Sequence, residues 1–300
     1  MAETIPTSTF RDLGNDIDNA LSVLADYGLE YSAGRFNQAR RDLDELARLH
    51  EAGALAEAAR DRTSSRLLAS LFDMNDVSHI CRSLQFLKGH GLDSEVRSFV
   101  AHPGDTIINE RGDGEDGHDL AFELSMLSRF VASGFPVKIE ESGDLRIEIA
   151  GRTVFVRCLR LRTPSQTGTR IRDASRALES CCSDVEGSRS VLALSVSKLA
   201  GLELNVLSAP DETRLYRMLN APVQTFIQRN QHMWRHAPTP AMAGVFVFFA
   251  RPVLISLIER LVYAQELTFS TAHGHSERDP AVLDVMLDRF DFLNALTSFT

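Results

Sequence analysis

Lysine is almost missing from this chain. Of 32 basic residues only Lys88, Lys138 and Lys198 are lysines, and the other 29 are arginines. A GC-rich bacterial genome produces that bias without a functional cause. It still leaves only three candidates for any chemistry that needs a lysine. Long apolar runs are missing too. No stretch approaches the ~18 to 20 residues that cross a bilayer. The most apolar one, 243–250 (AGVFVFFA), lies between Pro240 and Pro252 and reads as a buried strand. The opening residues, MAETIPTSTFRDLG, hold neither the basic nor the apolar segment of a secretory signal. The expectation is a cytoplasmic protein with no membrane partner. Cysteine is scarce: Cys81, Cys158, Cys181 and Cys182 show no CxxC pair and no finger spacing, so reduced, buried roles are expected. The chain also lacks a P-loop, a GxGxxG and a nucleophile elbow.

Positive charge is in deficit overall. The net charge of −9 argues against a surface broadly built for nucleic acid and leaves room only for a local basic patch. Hydrophobic content of 44% and charged content of 24% are those of a folded domain rather than a disordered chain.

Apolar periodicity divides the chain at about residue 105. Over 11–101, sets such as Leu21, Leu24 and Leu29, then Phe36, Ala39, Leu43 and Leu46, recur at helical spacing. About four helices are expected in an N-terminal helical region, 1–105. One of them starts at an Asn75 or Asp76 cap and ends at Gly89. Residues 102–118 (HPGDTIINERGDGEDGH) carry Gly, Pro and five acids and read as a linker; the alternative, a cation-binding loop, lacks EF-hand spacing.

Beyond the linker the period changes. Residues 119–133 form an amphipathic helix stopped by Gly134. Three short alternating segments follow, 136–141, 144–150 and 153–161, separated by Ser142-Gly143 and Gly151-Arg152, which predicts a three-strand meander. Residues 165–168 read as a polar loop, 170–180 as a helix, and 190–196 as a buried strand. In the last hundred residues, 211–218 and 222–234 read as helices and 243–249 as a strand. Residues 253–261 read as a second strand or a short helix, 267–271 as a strand, and 279–299 as a closing helix. Asn230, Gln231, His232, Trp234 and His236 make a polar-aromatic cluster. His273-Gly274-His275 tempts a metal reading, but Gly, Ser and Pro280 around it mark a loop without a third ligand.

The order helix, three strands, helix, strand resembles the PD-(D/E)XK superfamily, the restriction-endonuclease-like fold. Many prokaryotic members read Gly-His before a helix with Phe-Glu-Leu, then Gly-Phe-Pro-Val. An aspartate opens their second strand, and the third ends in Glu-Cys-Lys-Arg. This chain has Gly117-His118, Phe122-Glu123-Leu124, Gly134-Phe135-Pro136-Val137, Gly143-Asp144 and Val156-Arg157-Cys158-Leu159-Arg160. The resemblance covers a quarter to a third of the chain. It implies an α/β protein with a restriction-endonuclease-like core inside 106–300, extended by C-terminal strands and helices.

In active members an aspartate and a glutamate hold magnesium, and a lysine two residues on orients the attacking water. Residues i and i+2 of a strand face one side, which is why that spacing works. By this resemblance Asp144 matches the aspartate and Glu123 the helix glutamate some members use. Arg157 stands at the glutamate position and Leu159 at the lysine position. An arginine repels a cation and a leucine orients no water. The leading expectation is therefore a catalytically inactive nuclease-fold protein that uses no cofactor and binds nucleic acid or a partner protein. Such proteins serve in bacterial mobile-element, phage-defence or toxin-related modules, an association with the fold class alone.

Two alternatives stay open. One is a magnesium-dependent nuclease with migrated residues, built on Asp144, Glu148 and Lys138. The other is a scaffold subunit that never touches nucleic acid. Plainer roles compete for each residue: Asp144 as a turn residue, Glu123 as an ordinary helix acid, and Glu148 and Lys138 as an exposed sheet face. Seven arginines between 152 and 176 face one acid, Asp173. Arg152, Arg157, Arg160, Arg162, Arg170 and Arg172 are the candidate phosphate contacts, against the plainer reading of a solvated helix and strand end. A second way of keeping the old site neutral also follows: Arg157 as a fixed charge in the metal's place, paired with a carboxylate.

Overall fold

The computed structural model describes residues 7–8, 19–29, 33–54, 64–100, 120–140, 142–199, 207–235, 241–257, 260–272, 280–290 and 297–299. The linker expected at 102–118, Gly117-His118, His236 and the His273–His275 pair lie outside them. The fold is α/β. Its described strands form one mixed sheet.

The first part of the chain is helical, as its periodicity predicts. A helical stretch over 19–26 precedes α1 (Ala33–Glu51), α2 (Ser64–Gly89) and α3 (Asp93–Val100). The helix expected to start at Asn75 or Asp76 is instead the second half of α2, which runs ~39 Å without a break. Apolar residues on both sides of that point, Leu67 and Met74 before and Ile80, Leu84 and Leu87 after, are all buried. Continuous burial outweighs the local capping preference. α4 (Leu120–Ala132) follows, and Gly134 closes it in the left-handed region at φ 75°.

The strands come next. β1 (Thr7–Ser8) lies near the start of the chain; β2 (Val137–Ile139), β3 (Leu145–Ile149) and β4 (Arg152–Arg160) form an antiparallel meander. α5 (Pro164–Ser183) then crosses to β5 (Arg189–Ser195), which pairs parallel with β4. β6 (Leu207–Ala209), α6 (Glu212–Asn230) and α7 (His232–Arg235) lead to β7 (Met242–Ile255), parallel to β5. β8 (Arg260–Thr271) returns antiparallel to β7. After α8 (Pro280–Arg289), β9 (Thr297–Phe299) pairs with β8 and with β1. The strand order is β1-β9-β8-β7-β5-β4-β3-β2, with β6 paired to β7.

Four expectations need correction. α5 starts at Pro164, not 170: Pro fits the first helical turn, and Ser165 and Gln166 after it are exposed while Thr167 is buried. Residues 212–230 form one helix through Pro222, held by Leu219, Val223 and Phe226 on its buried face. Val253 continues β7 rather than opening a new element, so β7 is 14 residues long. The closing helix ends at Arg289, and 297–299 is a strand.

Alternation along the strands sorts two cores. On one face Leu145, Ile147 and Ile149 of β3, Val154 and Val156 of β4, and Phe246 of β7 pack with α4, α8 and the N-terminal helices. On the other, Phe155, Leu192, Leu194, Val245 and Val247 pack with α5 and α6. Burial of each such side chain is worth roughly 1.5–3 kcal/mol. The helical layer is also tied to the sheet by a polar link. Gln265 of β8, 3% exposed, accepts from Arg129 Nη2 of α4 at 2.9 Å, and its Nε2 lies 3.3 Å from His79 Nε2 of α2.

The first core is tightest where Phe269 lies across Gly244. A Cβ on Gly244 would sit 2.3 Å from the Phe269 ring and 2.6 Å from the Ser270 carbonyl oxygen. Phe269 is itself edge-on to Phe246, with centroids 4.8 Å apart, and the Ser270 carbonyl is backbone, so relief requires both a ring and a strand to shift. Gly244→Ala is expected to destabilise the fold by about 1–3 kcal/mol, read as a lower urea midpoint. An unchanged midpoint would show that both move freely.

Candidate functional site

Asp144 owes its place to a tight turn. Gly143, at φ 82°, donates its N–H to the Glu140 carbonyl at 2.9 Å, and Glu140 N–H reaches the Asp144 carbonyl at 2.9 Å. A positive φ of this size suits glycine and few other residues. The turn puts Asp144 at the entry of β3. Because Leu145 is opposite Val156 in the ladder, Asp144 falls beside Arg157 of β4. Both point away from the first core, toward the α5 layer.

There they form a two-pronged ion pair. Arg157 Nε donates to Asp144 Oδ1 and Arg157 Nη2 to Asp144 Oδ2, both at 2.6 Å. Ser142 Oγ adds a third donor, 2.8 Å from Oδ2. Asp144 is only 2% exposed, and the Arg157 side chain 23%. Parallel N–H bonds of this kind are among the stronger polar contacts in proteins. Burial pushes the Arg157 pKa down, but the hydrogen bond to Asp144 and its charge outweigh that, so the guanidinium is held above its ordinary value.

The surroundings are mixed. Leu159, two residues along β4, joins the second core at its margin. Cys181 of α5 is close enough to feel both charges. Its thiol is raised above the ordinary value, first by burial and then by Asp144, with Arg157 opposing. Ser142, read from sequence as a turn residue, and Cys181, read as a reduced cysteine, were not among the candidate site residues. A serine two places before a strand-opening aspartate is a signal that could have found Ser142. No spacing signal points to Cys181.

The other expected residues are elsewhere. Glu123 is buried on α4, whose apolar face packs on the opposite side of the sheet. Glu148 is exposed four residues from Asp144, ~13 Å along the strand. It accepts from Thr153 Oγ1 at 2.9 Å and lies 3.6 Å from Arg146 Nε. Lys138, on the edge strand β2, is exposed and opposite Arg146. Arg146 therefore stands between Asp144 and Glu148 on that face. Among the described residues, no group of three or more His, Cys, Asp or Glu is arranged to hold a metal ion.

The arginines separate into two ends of β4. Arg152, at its start, donates to the Gly187 carbonyl at 3.1 Å. Arg160 ends the strand opposite Ser195, some 26 Å away. Arg162 follows just before α5, and Arg170 Nη1 reaches the Arg160 carbonyl at 3.4 Å. Arg172 is exposed and donates to the Gly168 carbonyl in its own helix at 3.1 Å. The candidate phosphate contacts thus do not make one patch: Arg152 is apart, Arg157 is held by Asp144, and three gather at one corner.

No protein-family model matches the chain, and the search of curated proteins found no match.

Removing Arg157 strands a buried carboxylate. Arg157→Ala is expected to destabilise the protein by about 3–5 kcal/mol. Arg152→Ala, at an exposed position, should stay within about 1 kcal/mol. Urea denaturation of both variants checks the contrast; similar losses would mean that the pair carries no special weight.

Proposed function

We propose that this chain is a restriction-endonuclease-like protein that no longer cuts, and that it acts by binding nucleic acid or a protein partner. The pairing of Asp144 with Arg157 is the observation that carries the reading. Support also comes from the arrangement around it: a helix, an antiparallel meander, a crossover helix and a strand parallel to the last meander strand. In a cutting enzyme of that type, the positions of Asp144 and Arg157 would both hold carboxylates for a hard divalent ion. Here one is a cation whose two nitrogens already occupy both oxygens of the other.

The residues present do not fit magnesium. A divalent ion at Asp144 would face the Arg157 guanidinium at contact range, where like charges in a partly buried setting repel by several kcal/mol. Leu159 offers nothing to a water molecule or a developing charge. The pair does for the buried Asp144 what a bound ion would otherwise do, since it supplies fixed positive charge.

Two measurements test the reading. Purified protein with Mg²⁺ or Mn²⁺ should leave single- and double-stranded DNA and RNA intact. Cleavage that disappears in Asp144→Ala would instead support the migrated site with Glu148 and Lys138. In the reverse direction, Arg157→Glu with Leu159→Lys should gain Mn²⁺ binding, seen as loss of the free-ion electron paramagnetic resonance signal. The native protein should give no such loss through Asp144.

A further inference from the structure

The sheet ends on β2, and among the described residues that edge is open. β3 is the one described strand paired with β2. The bonds to β3 show which backbone groups turn outward. Glu148 N–H binds the Pro136 carbonyl at 3.1 Å, and Glu140 N–H binds the Asp144 carbonyl at 2.9 Å. Residues 136, 138 and 140 therefore bond inward, and the N–H and C=O groups of Val137 and Ile139 face away from the sheet. Glu140 continues the ladder one residue past β2. A bare edge of this kind is a template for another strand.

The side chains along the edge carry a charge pattern. Lys138 is exposed and sits opposite Arg146, a like charge. The carboxylates nearby lie against Arg146 instead, Glu140 at 3.9 Å and Glu148 at 3.6 Å. Among the described residues no carboxylate pairs with Lys138. On the opposite face, Val137 and Ile139 are half-buried at the margin of the first core.

A lysine in the middle of an edge strand usually keeps other strands away. Whether it does so against a copy of itself depends on register. Two antiparallel copies of β2 can bond only through their outward residues. Centred on Lys138, the pair sets lysine against lysine, and centred on Glu140 it sets glutamate against glutamate. Centred on Val137, it sets Lys138 against Pro136 and gains no charge contact. Centred on Ile139, it sets Lys138 of each copy against Glu140 of the other. Those two positions are then the non-hydrogen-bonded kind, with Cα atoms ~4.5 Å apart and side chains closest. Opposite charges placed directly across strands attract, and like charges repel.

We propose that β2 pairs antiparallel with β2 of a second copy, about a two-fold axis through Ile139, so that one sheet runs through both molecules. Each Ile139 gives its N–H to the other's carbonyl, and the two side chains meet on the first-core side. Two Lys138–Glu140 pairs flank them on the other face. The two-fold uses up both edges, so assembly stops at a dimer. The contact is short, which makes it a weak, concentration-dependent one.

Sedimentation velocity of the full chain over a concentration series tests this. The native protein should pass from monomer to dimer as concentration rises. Lys138→Glu and Glu140→Lys each set like charges opposite one another twice per dimer, and each should weaken association roughly tenfold. Lys138→Glu combined with Glu140→Lys restores both pairs with the signs exchanged and should associate much as the native protein does. Neither position is buried, so the variants should fold. The proposal is overturned if the native protein stays monomeric throughout, if neither single reversal weakens the dimer, or if the exchanged pair associates no better than the single variants. None of these outcomes touches the non-cutting reading, which rests on Asp144 and Arg157.

Discussion

A carboxylate that is 2% exposed needs compensating positive charge within contact distance. At Asp144 that charge comes from Arg157, on the neighbouring strand, through two bonds of 2.6 Å. The requirement reaches well beyond the pair. It fixes the register of β3 on β4, since a one-residue slip would turn Arg157 to the opposite face. It also depends on the Gly143 turn, which delivers Asp144 at the right end of the strand. The apolar alternation of β3 agrees with that register: Leu145, Ile147 and Ile149 enter the first core only when Asp144 points to the other side.

The two faces of the sheet have divided their tasks around this pair. One is sealed by α4, α8 and the N-terminal helices, with aromatic rings packed across β7 and the Gln265 link to α2 and α4. Among the described residues the other is covered by α5 and α6 over β4, β5, β7 and β8. The outer meander strands β2 and β3 leave a polar strip there, made of Lys138, Arg146, Glu148 and the ion pair. An active site would need such an opening, and so would a binding surface. The chemistry of the residues decides between the two uses, and here they neutralise one another instead of collecting a cation.

Much of this was legible in sequence where a simple period holds over a whole element. The α4 helix, the meander and the buried β5 strand follow from spacing and turn residues alone. A pair between Arg157 and a carboxylate was legible as an alternative only through the resemblance, which puts Glu123, Asp144 and Arg157 in one old metal pocket; that the partner is Asp144 was not. Sequence reasoning failed where tertiary burial outweighed a local signal. Pro222 does not end α6 because Leu219, Val223 and Phe226 keep both halves on one core. Asn75 and Asp76 do not start a helix because apolar residues on both sides of them are buried in one continuous helix. The polar opening of α5 resembled a loop because a helix's exposed first turn and a loop have the same composition. The division of the arginines between the two ends of β4 could not be read from their clustering along the chain. Nor could the placing of Glu123 behind the sheet, since a helix face can be assigned only once its packing partner is known.

The central claim is that Asp144 and Arg157 act as one unit, each present because of the other. A double-mutant cycle with Asp144→Ala, Arg157→Leu and the combined variant measures that directly from urea denaturation. The account predicts that the combined variant is no less stable than either single variant, with a coupling energy of about 1.5 kcal/mol or more. Single-variant losses that simply add would contradict it, and would leave Arg157 as an ordinary surface cation beside an independent turn residue.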